Sequence, residues 1–441
     1  MLRQLTQLAA FLVLPALACG AGAAVLPEDC FPQLRALFDA AEGSSPAMEQ
    51  QAGIVAETNA LADAVRSQRM PRVSGYARVQ SQYETRINSQ VEIDAFNVGP
   101  NAGLTLAIPI FHWGEFPARA EYARARGETA RLRMSQRLLE IRQELRRNFV
   151  QYQLSLQAAA IAADGIEFAQ KKQDGLKGLV NDGLAPRQDL VEADIFAQER
   201  QEELDYSENQ SAYCLGAIRL ASGVESIEIA RADFPELQLL ADSELESLRL
   251  AATAAKLPAI GALEAELAAE EASTREIRSR NRPKIDAVAA GGVDAVDEYR
   301  QDGRYATVPR AIGWVGVQAT WTIYDGGDLS AQEAASLARV HRLRAALEEA
   351  RLRQQHDVGS IARDATLNAS RYRTRLQRLE LLRRTLAYME EQLAGGGVSA
   401  NDYFQRRLDF QRTQLDLLNA SATYMLDIAQ LNDIASCSPG K

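Results

Sequence analysis

The sequence has little of what catalytic and metal centres are built from. Three histidines, His112, His341 and His356, are scattered through 441 residues, and none stands at a metal-ligand or catalytic-triad spacing with suitable partners. No enzyme activity, cofactor or metal is therefore expected. Aromatic residues make up 6% of the chain while 46% is apolar. Much of that apolar share is alanine, the make-up of long packed helices rather than of a dense globular enzyme. A basic stripe of the kind that neutralises phosphates is also lacking, and the formal charge is −10, which argues against nucleic acid as a partner. The acidity itself reads as ordinary solubility.

Long hydrophobic runs are absent beyond the N-terminus. Residues 1–24 read as an export signal, with Arg3, an apolar run from Leu8 to Leu17, and small residues through Ala24. Lipidation of Cys19 is a rival reading of the same segment, although Ala16 stands where a larger aliphatic residue is preferred. After it no stretch of about 18 apolar residues occurs, so a membrane-crossing part must be made of strands. The other cysteines are Cys30, Cys214 and Cys437. A Cys30–Cys437 bridge and unpaired thiols both remain open in an oxidising compartment.

What is present is a plan written twice. Pro46 and Pro258 each open a helix-like stretch and Pro71 and Pro283 each close one, at an offset of 212 positions. The pairs Gly114/Gly327, Gly183/Gly396 and Asp189/Asp402 are offset by 213. Repeats of this size indicate a duplicated half-domain rather than solenoid units. The expected organisation is a signal at 1–24, a first repeat at 25–223, a linker at 224–241, a second repeat at 242–436 and a tail at 437–441. Each repeat reads as helix, two strands, very long helix, Gly-marked turn and returning helix.

The expected strands are about Arg72 to Gln82, Asn101 to Phe111, Lys284 to Val296 and Ile312 to Tyr324. Leu104, Leu106, Ile108 and Ile110 alternate with Gly103, Thr105, Ala107 and Pro109, and Val317, Ala319, Trp321 and Ile323 alternate with small or polar residues. One apolar and one polar face over about 10 residues is the pattern of a membrane barrel strand with a wet interior. A half-buried soluble sheet shares that alternation. The aromatic residues Phe111, Trp113, Trp321 and Tyr324, at the same end of both hairpins, favour a membrane interface and contact with outer-membrane lipid. Asp325-Gly-Gly-Asp328 reads as a capped turn into a helix.

From Glu115 to Asn181 no proline follows Pro117, so one helix of about 65 residues would run about 100 Å. Leu138, Leu145, Phe149, Tyr152, Leu156, Ala159, Ala163 and Ile166 give it a coiled-coil seam interrupted at Arg142. Val358, Ala362, Ala365, Ala369, Tyr372, Leu376, Leu379 and Leu386 repeat the seam, interrupted at Arg383. The fold expected is mainly α, with long antiparallel coiled-coil helices and four strands per chain. Four strands cannot close a membrane barrel, for which about eight is the minimum. Three copies would supply twelve.

These features resemble the TolC-like outer-membrane factor family, the exit ducts of tripartite efflux pumps and type I secretion systems. The resemblance runs from about Phe31 to Ser436. It rests on the doubled plan, on Ala107-Ile-Pro-Ile-Phe-His-Trp-Gly114, and on the turn Gly183-Leu-Ala-Pro-Arg-Gln-Asp189-Leu-Val-Glu-Ala193, whose spacing recurs from Gly396 to Asp402. It implies a homotrimer with a twelve-stranded barrel in the outer membrane over a twelve-helix periplasmic tunnel. It also implies a periplasmic adaptor docked at the tips around Gly183, Leu184, Gly396 and Val398, and an inner-membrane transporter that supplies the energy.

Carried over by position, Asp402 would ring the tunnel entrance and Asp189 would join the closed-state network, although Asp189 also suits a plain helix N-terminus. The family's second entrance aspartate falls on Gln405, and its closing tyrosine and arginine fall on Leu393 and Val398. A lock of that type is therefore not expected. Tyr403 and Phe404 could narrow the tip by bulk, packing being the plainer role for aromatics beside a helix start. A pore-free periplasmic coiled-coil adaptor or scaffold is the competing function.

Overall fold

The computed structural model describes residues 26–88, 91–299, 305–394 and 397–437. The expected signal, Cys19 and Gly396 lie outside the described residues. The elements run α1 (Pro27–Cys30), α2 (Pro32–Ser44), α3 (Pro46–Ser67), β1 (Arg72–Asn88), β2 (Val91–Phe111), α4 (Glu115–Asn181), α5 (Arg187–Ser222), α6 (Asp242–Ala254), α7 (Pro258–Arg280), β3 (Lys284–Tyr299), β4 (Tyr305–Thr320), α8 (Asp328–Ala394) and α9 (Ala400–Ser436). Prolines set several starts, because a missing N–H costs nothing in a first turn. Pro32, Pro46 and Pro258 each open a helix.

The long helices α4 and α8 each have 67 residues, close to the length expected. Several strand boundaries differ from expectation. The first hairpin extends inward to Asn88 and Val91, because backbone pairing continues through the charged segment around Glu84 and Asp94. β4 covers Tyr305–Thr320 rather than 312–324. Its ladder stops where Thr320 meets Lys284, the first residue of β3, so Trp321 to Tyr324 have no strand to pair with.

The chain divides into two compact units. One is drawn from Ala47–Leu138 and Lys256–Gln355. It holds an antiparallel sheet in the order β1-β2-β3-β4. In its helical part α7 is tied to α4 and α8 by ion pairs. Arg133 reaches Glu266 at 2.7 Å from α4, while Arg339 and Arg344 reach Glu270 and Glu271 at 2.8 Å from α8. Small side chains fill the space between, among them Ala118, Ala269 and Ala272, and Thr274 bonds the fully buried Ser336 at 2.7 Å.

The other unit lies within Met1–Pro46, Leu139–Ala255 and His356–Lys441. Its stretch 224–241 has no helix or strand, so its backbone groups must find side-chain partners. Gln153, fully buried, donates to Ala230 O at 3.0 Å and accepts from Ala232 N at 2.9 Å. The hydroxyls of Tyr372 and Tyr424 accept from Leu237 N and Leu240 N at 3.0 and 2.9 Å. Gly223 ends α5 at φ 73°, and a Cβ there would meet Ser44 O at 2.1 Å, so only glycine fits.

The seams are real but phased differently from the expectation. In α4 Ile141, Leu145, Phe149, Ala162 and Ala169 are buried, while Ala163 is exposed and Arg142 reaches out to Glu42. In α8 Val358, Ala362, Ala365, Ala369 and Tyr372 are buried as expected, and Leu382 rather than the exposed Arg383 continues the line. Among the described residues Cys30, Cys214 and Cys437 form no disulfide. Cys30 Sγ faces Met425 Sδ at 3.7 Å. Met425 lies twelve residues before Cys437, about 18 Å along α9, far beyond disulfide reach.

Candidate channel surfaces and helix tips

The sheet register separates two faces. Val73, Leu106, Ala289 and Val315 stand in one cross-strand row, and Gly75, Leu104, Gly291 and Gly313 in the next. Val73, Val79, Leu104, Val315 and Val317 on this face are all exposed. The opposite face carries the row Arg78, Asn101, Asp294 and Arg310 across all four strands, with Asp286 paired to Gln318. Ile312, Trp314 and the buried Val288 are among its apolar exceptions. A core-packed sheet would hide the apolar face, whereas here that face is bare. Among the described residues β1 and β4 also leave their outer ladders unpaired, each over 16 residues or more.

Below the strand ends, side chains of β2, α4, α7 and β3 form a charged knot. Glu115, 1% exposed, lies 2.5 Å from Arg119 and 2.9 Å from Lys284. His112 Nε2 meets Asp286 at 2.8 Å and its Nδ1 lies 3.3 Å from Glu115. Arg119 and Arg280 both reach Glu276 at 2.9 Å. Burial pushes the Glu115 carboxyl up, but the Lys284 hydrogen bond and the Arg119 charge outweigh it, leaving it below the ordinary carboxylate value. No sequence spacing announced this knot, since its partners are up to 174 positions apart.

The predicted interface aromatics are at the surface: Phe111 is 49% exposed, Trp113 40%, Trp321 55% and Tyr324 86%. Trp113 adopts φ 52°, the left-handed region, and its indole N–H donates to Pro283 O at 2.7 Å. The indole of Trp321 donates to Asn281 O at 3.2 Å. Both rings thus keep their polar edge satisfied while presenting apolar surface. The Asp325 carboxylate accepts from Gly327 N and Leu329 N at 2.9 Å, the capped turn expected.

The helix tips are in the other unit. Gly183, at φ 70°, closes α4 with Leu184 N bonded to Leu179 O at 2.8 Å and Gly183 N to Val180 O at 3.2 Å, a Schellman stop. Leu184 is left 75% exposed. Asp189 sits half-buried in the first turn of α5 and Asp402 is exposed in the first turn of α9, its backbone N–H held by Ser399 Oγ at 3.1 Å. Gln405 is exposed, while Tyr403 and Val398 are half-buried.

Of its two expected roles Phe404 takes the plainer one, packing. It is 3% exposed, stacks on Phe168 at 5.0 Å and meets Phe196 edge-on at 4.7 Å, with Lys172 4.1 Å above its ring. A ring held between α4, α5 and α9 has no surface left to line a passage.

In this unit Gln173 bonds Asp194 between α4 and α5, Arg407 bonds Asp164 between α9 and α4, and Asn368 bonds Asp427 between α8 and α9. These bonds join α5 to α4, α4 to α9 and α9 to α8. α5 and α8 carry exposed apolar stripes: Tyr206, Tyr213 and Leu220, seven residues apart on α5, and Leu367, Leu381 and Tyr388 on α8.

A fold of long helices with an antiparallel sheet bare on its apolar face and open at both edges defines a membrane channel protein. Residues 37–213 match the model of the outer membrane efflux protein family, so this stretch of the chain is similar to that family. In that match and in its fold the chain is similar to outer-membrane efflux channels. Solved structures share its fold. The outer membrane protein VceC of Vibrio cholerae is 16% identical with a TM-score of 0.73, covering 92% of this chain and 96% of its own. The CmeC outer membrane channel of Campylobacter jejuni is 12% identical with a TM-score of 0.73, over 91% and 85%. The open state of the MtrE outer membrane channel of Neisseria gonorrhoeae is 14% identical with a TM-score of 0.69, over 93% and 91%. A search among curated proteins finds no match to the sequence.

Proposed function

We propose that three copies of this chain close into one passive exit duct. In the duct β1 of each copy pairs with β4 of the next, and the α5 stripe of each packs on the α8 stripe of its neighbour. The carrying observation is that each unit separately ends in two unsatisfied edges. An unpaired ladder and a bare apolar heptad stripe are both costly in water. Twelve strands from three copies would form a barrel of a size found in outer membranes. The face bearing Arg78, Asn101, Asp294 and Arg310 would then line its interior.

On this reading the exposed Leu184 and the turn containing Val398 receive a periplasmic adaptor, and an inner-membrane transporter drives cargo into the tunnel. Asp402, repeated three times, makes a negative ring at the entrance and favours cations. The cargo-neutral test is planar-bilayer recording with the purified full-length protein. Discrete conductance steps are expected, and bilayers left unchanged at every protein concentration would refute the duct. A pore-free scaffold has no observation in its favour, because it gives the apolar sheet face nothing to contact.

A further inference from the structure

The turn between α7 and β3 is gripped from both sides by tryptophan. Trp321 donates to Asn281 O at 3.2 Å and Trp113 to Pro283 O at 2.7 Å. The residue between those carbonyls is Arg282, whose guanidinium lies 5.2 Å from the centre of the Trp113 ring. Two indoles thus fix the backbone on either side of one cation and hold that cation against an aromatic face.

Arg282 is exposed and pairs with no acid among the described residues. Its neighbours leave none to spare. Glu115, Glu276 and Asp286 are engaged by Arg119, Arg280, Lys284 and His112. The junction therefore presents one uncompensated positive charge at its surface.

Its position decides what that charge meets. Phe111, Ile285 and Ala319 continue the apolar face at the ends of their strands, and Trp113 and Trp321 follow two residues later. Arg282 thus stands where the apolar face ends, at the depth of lipid headgroups if the strands span the outer membrane. An arginine held over an indole by its charge keeps its fork of N–H groups available to match the oxygens of a phosphodiester. A basic residue at such a boundary attracts anionic lipid.

We propose that Arg282, Trp113 and Trp321 form a headgroup site for an anionic phospholipid of the leaflet facing the periplasm. The two indoles lie along the upper acyl chains and Arg282 binds the phosphate. The site fixes the depth and tilt of each copy in the bilayer, and it rests on the membrane-spanning reading of the sheet.

Fluorescence can test both layers. Trp113 and Trp321 are two of the three tryptophans in the chain, so a Trp314→Phe variant leaves emission from the site alone. The full-length variant is reconstituted in phosphatidylcholine vesicles carrying a minor fraction of brominated phosphatidylglycerol or, in parallel, brominated phosphatidylcholine. Quenching should favour the anionic lipid by about fivefold in apparent affinity, the scale of one basic residue at a charged surface. Arg282→Gln should bring the two lipids level. Equal quenching before that substitution, or a preference that survives it, overturns the site while leaving the membrane reading intact. No quenching by either lipid overturns both.

Discussion

Arg407 of α9 holds both carboxylate oxygens of Asp164 on α4, at 2.9 and 2.8 Å, and Gln411 one turn on bonds the same group at 2.9 Å. This is one of the links between the returning helix of the second half and the long helix of the first, beside the Phe404–Phe168 stack and the Arg146–Asp433 pair. It stands about five residues above Asp402, so it ties down the helix that would carry the entrance aspartate. The side chains are 30% and 51% exposed, and the pair contributes little to stability, under about 1 kcal/mol. Asp164→Asn should leave the unfolding midpoint nearly unchanged while increasing single-channel conductance. Conductance identical to that of the unsubstituted protein would show that this link does not restrain the tip.

Arg146 is a different kind of ion pair. It is 4% exposed, bonded to Glu28 at 2.8 Å and Asp433 at 2.7 Å, with Phe38 beside it. Burial opposes its charge, but the two carboxylates win and raise its pKa. Arg146→Met would leave two poorly solvated carboxylates facing one another. A loss of about 3–5 kcal/mol is expected from denaturant unfolding, and a loss below about 1 kcal/mol would mean that water replaces the guanidinium.

Asp427 makes stability depend on pH. Burial, countered by the Asn368 hydrogen bond and aided by nearby Asp364, pushes its carboxyl up to about 6. A raised carboxyl favours the folded state most below its unfolded value, near 4, and that contribution is lost as pH rises through about 6. Asp427→Asn should therefore stabilise the protein at pH 7.5 by about 1–2 kcal/mol once solvent screening is allowed for. It should also flatten the decline between about pH 4 and 6. Melting curves across that range provide the check, and equal slopes for both proteins would remove Asp427 as the cause.

Asp402→Ala should weaken cation selectivity and block by multivalent cations in bilayer recordings. The substitution also removes the Asp402 carboxylate that bonds Ser399 Oγ at 2.7 Å, so Asp402→Asn is the better control for helix capping. Selectivity unchanged in both variants would take Asp402 out of the entrance.

Much of this architecture is written in local chemistry. Glu115 to Asn181 could be read as one helix because no proline interrupts it, and Pro46 and Pro258 mark starts by their missing N–H. The phase of the α4 seam was not readable, because Ala159, Ala162, Ala163 and Ala169 look alike and only the partner helix decides which is covered. Phe404 could not be assigned from its position beside a helix start, since its burial depends on Phe168 and Phe196 in other helices. The knot of His112, Glu115, Lys284 and Asp286 joins residues from opposite halves of the chain, and their proximity arises only when β2 and β3 pair. Trp321 and Tyr324 had the right character for an interface but continue an alternation after the strand has run out of partner.

The account depends most on the claim that this sheet is incomplete in one chain. The direct measurement is the mass of the purified protein in density-matched detergent by sedimentation equilibrium. Three chains per particle is the predicted result, with the particle surviving unheated gel electrophoresis. A particle of one chain, with its sheet edges open and no larger species at any concentration, would contradict it.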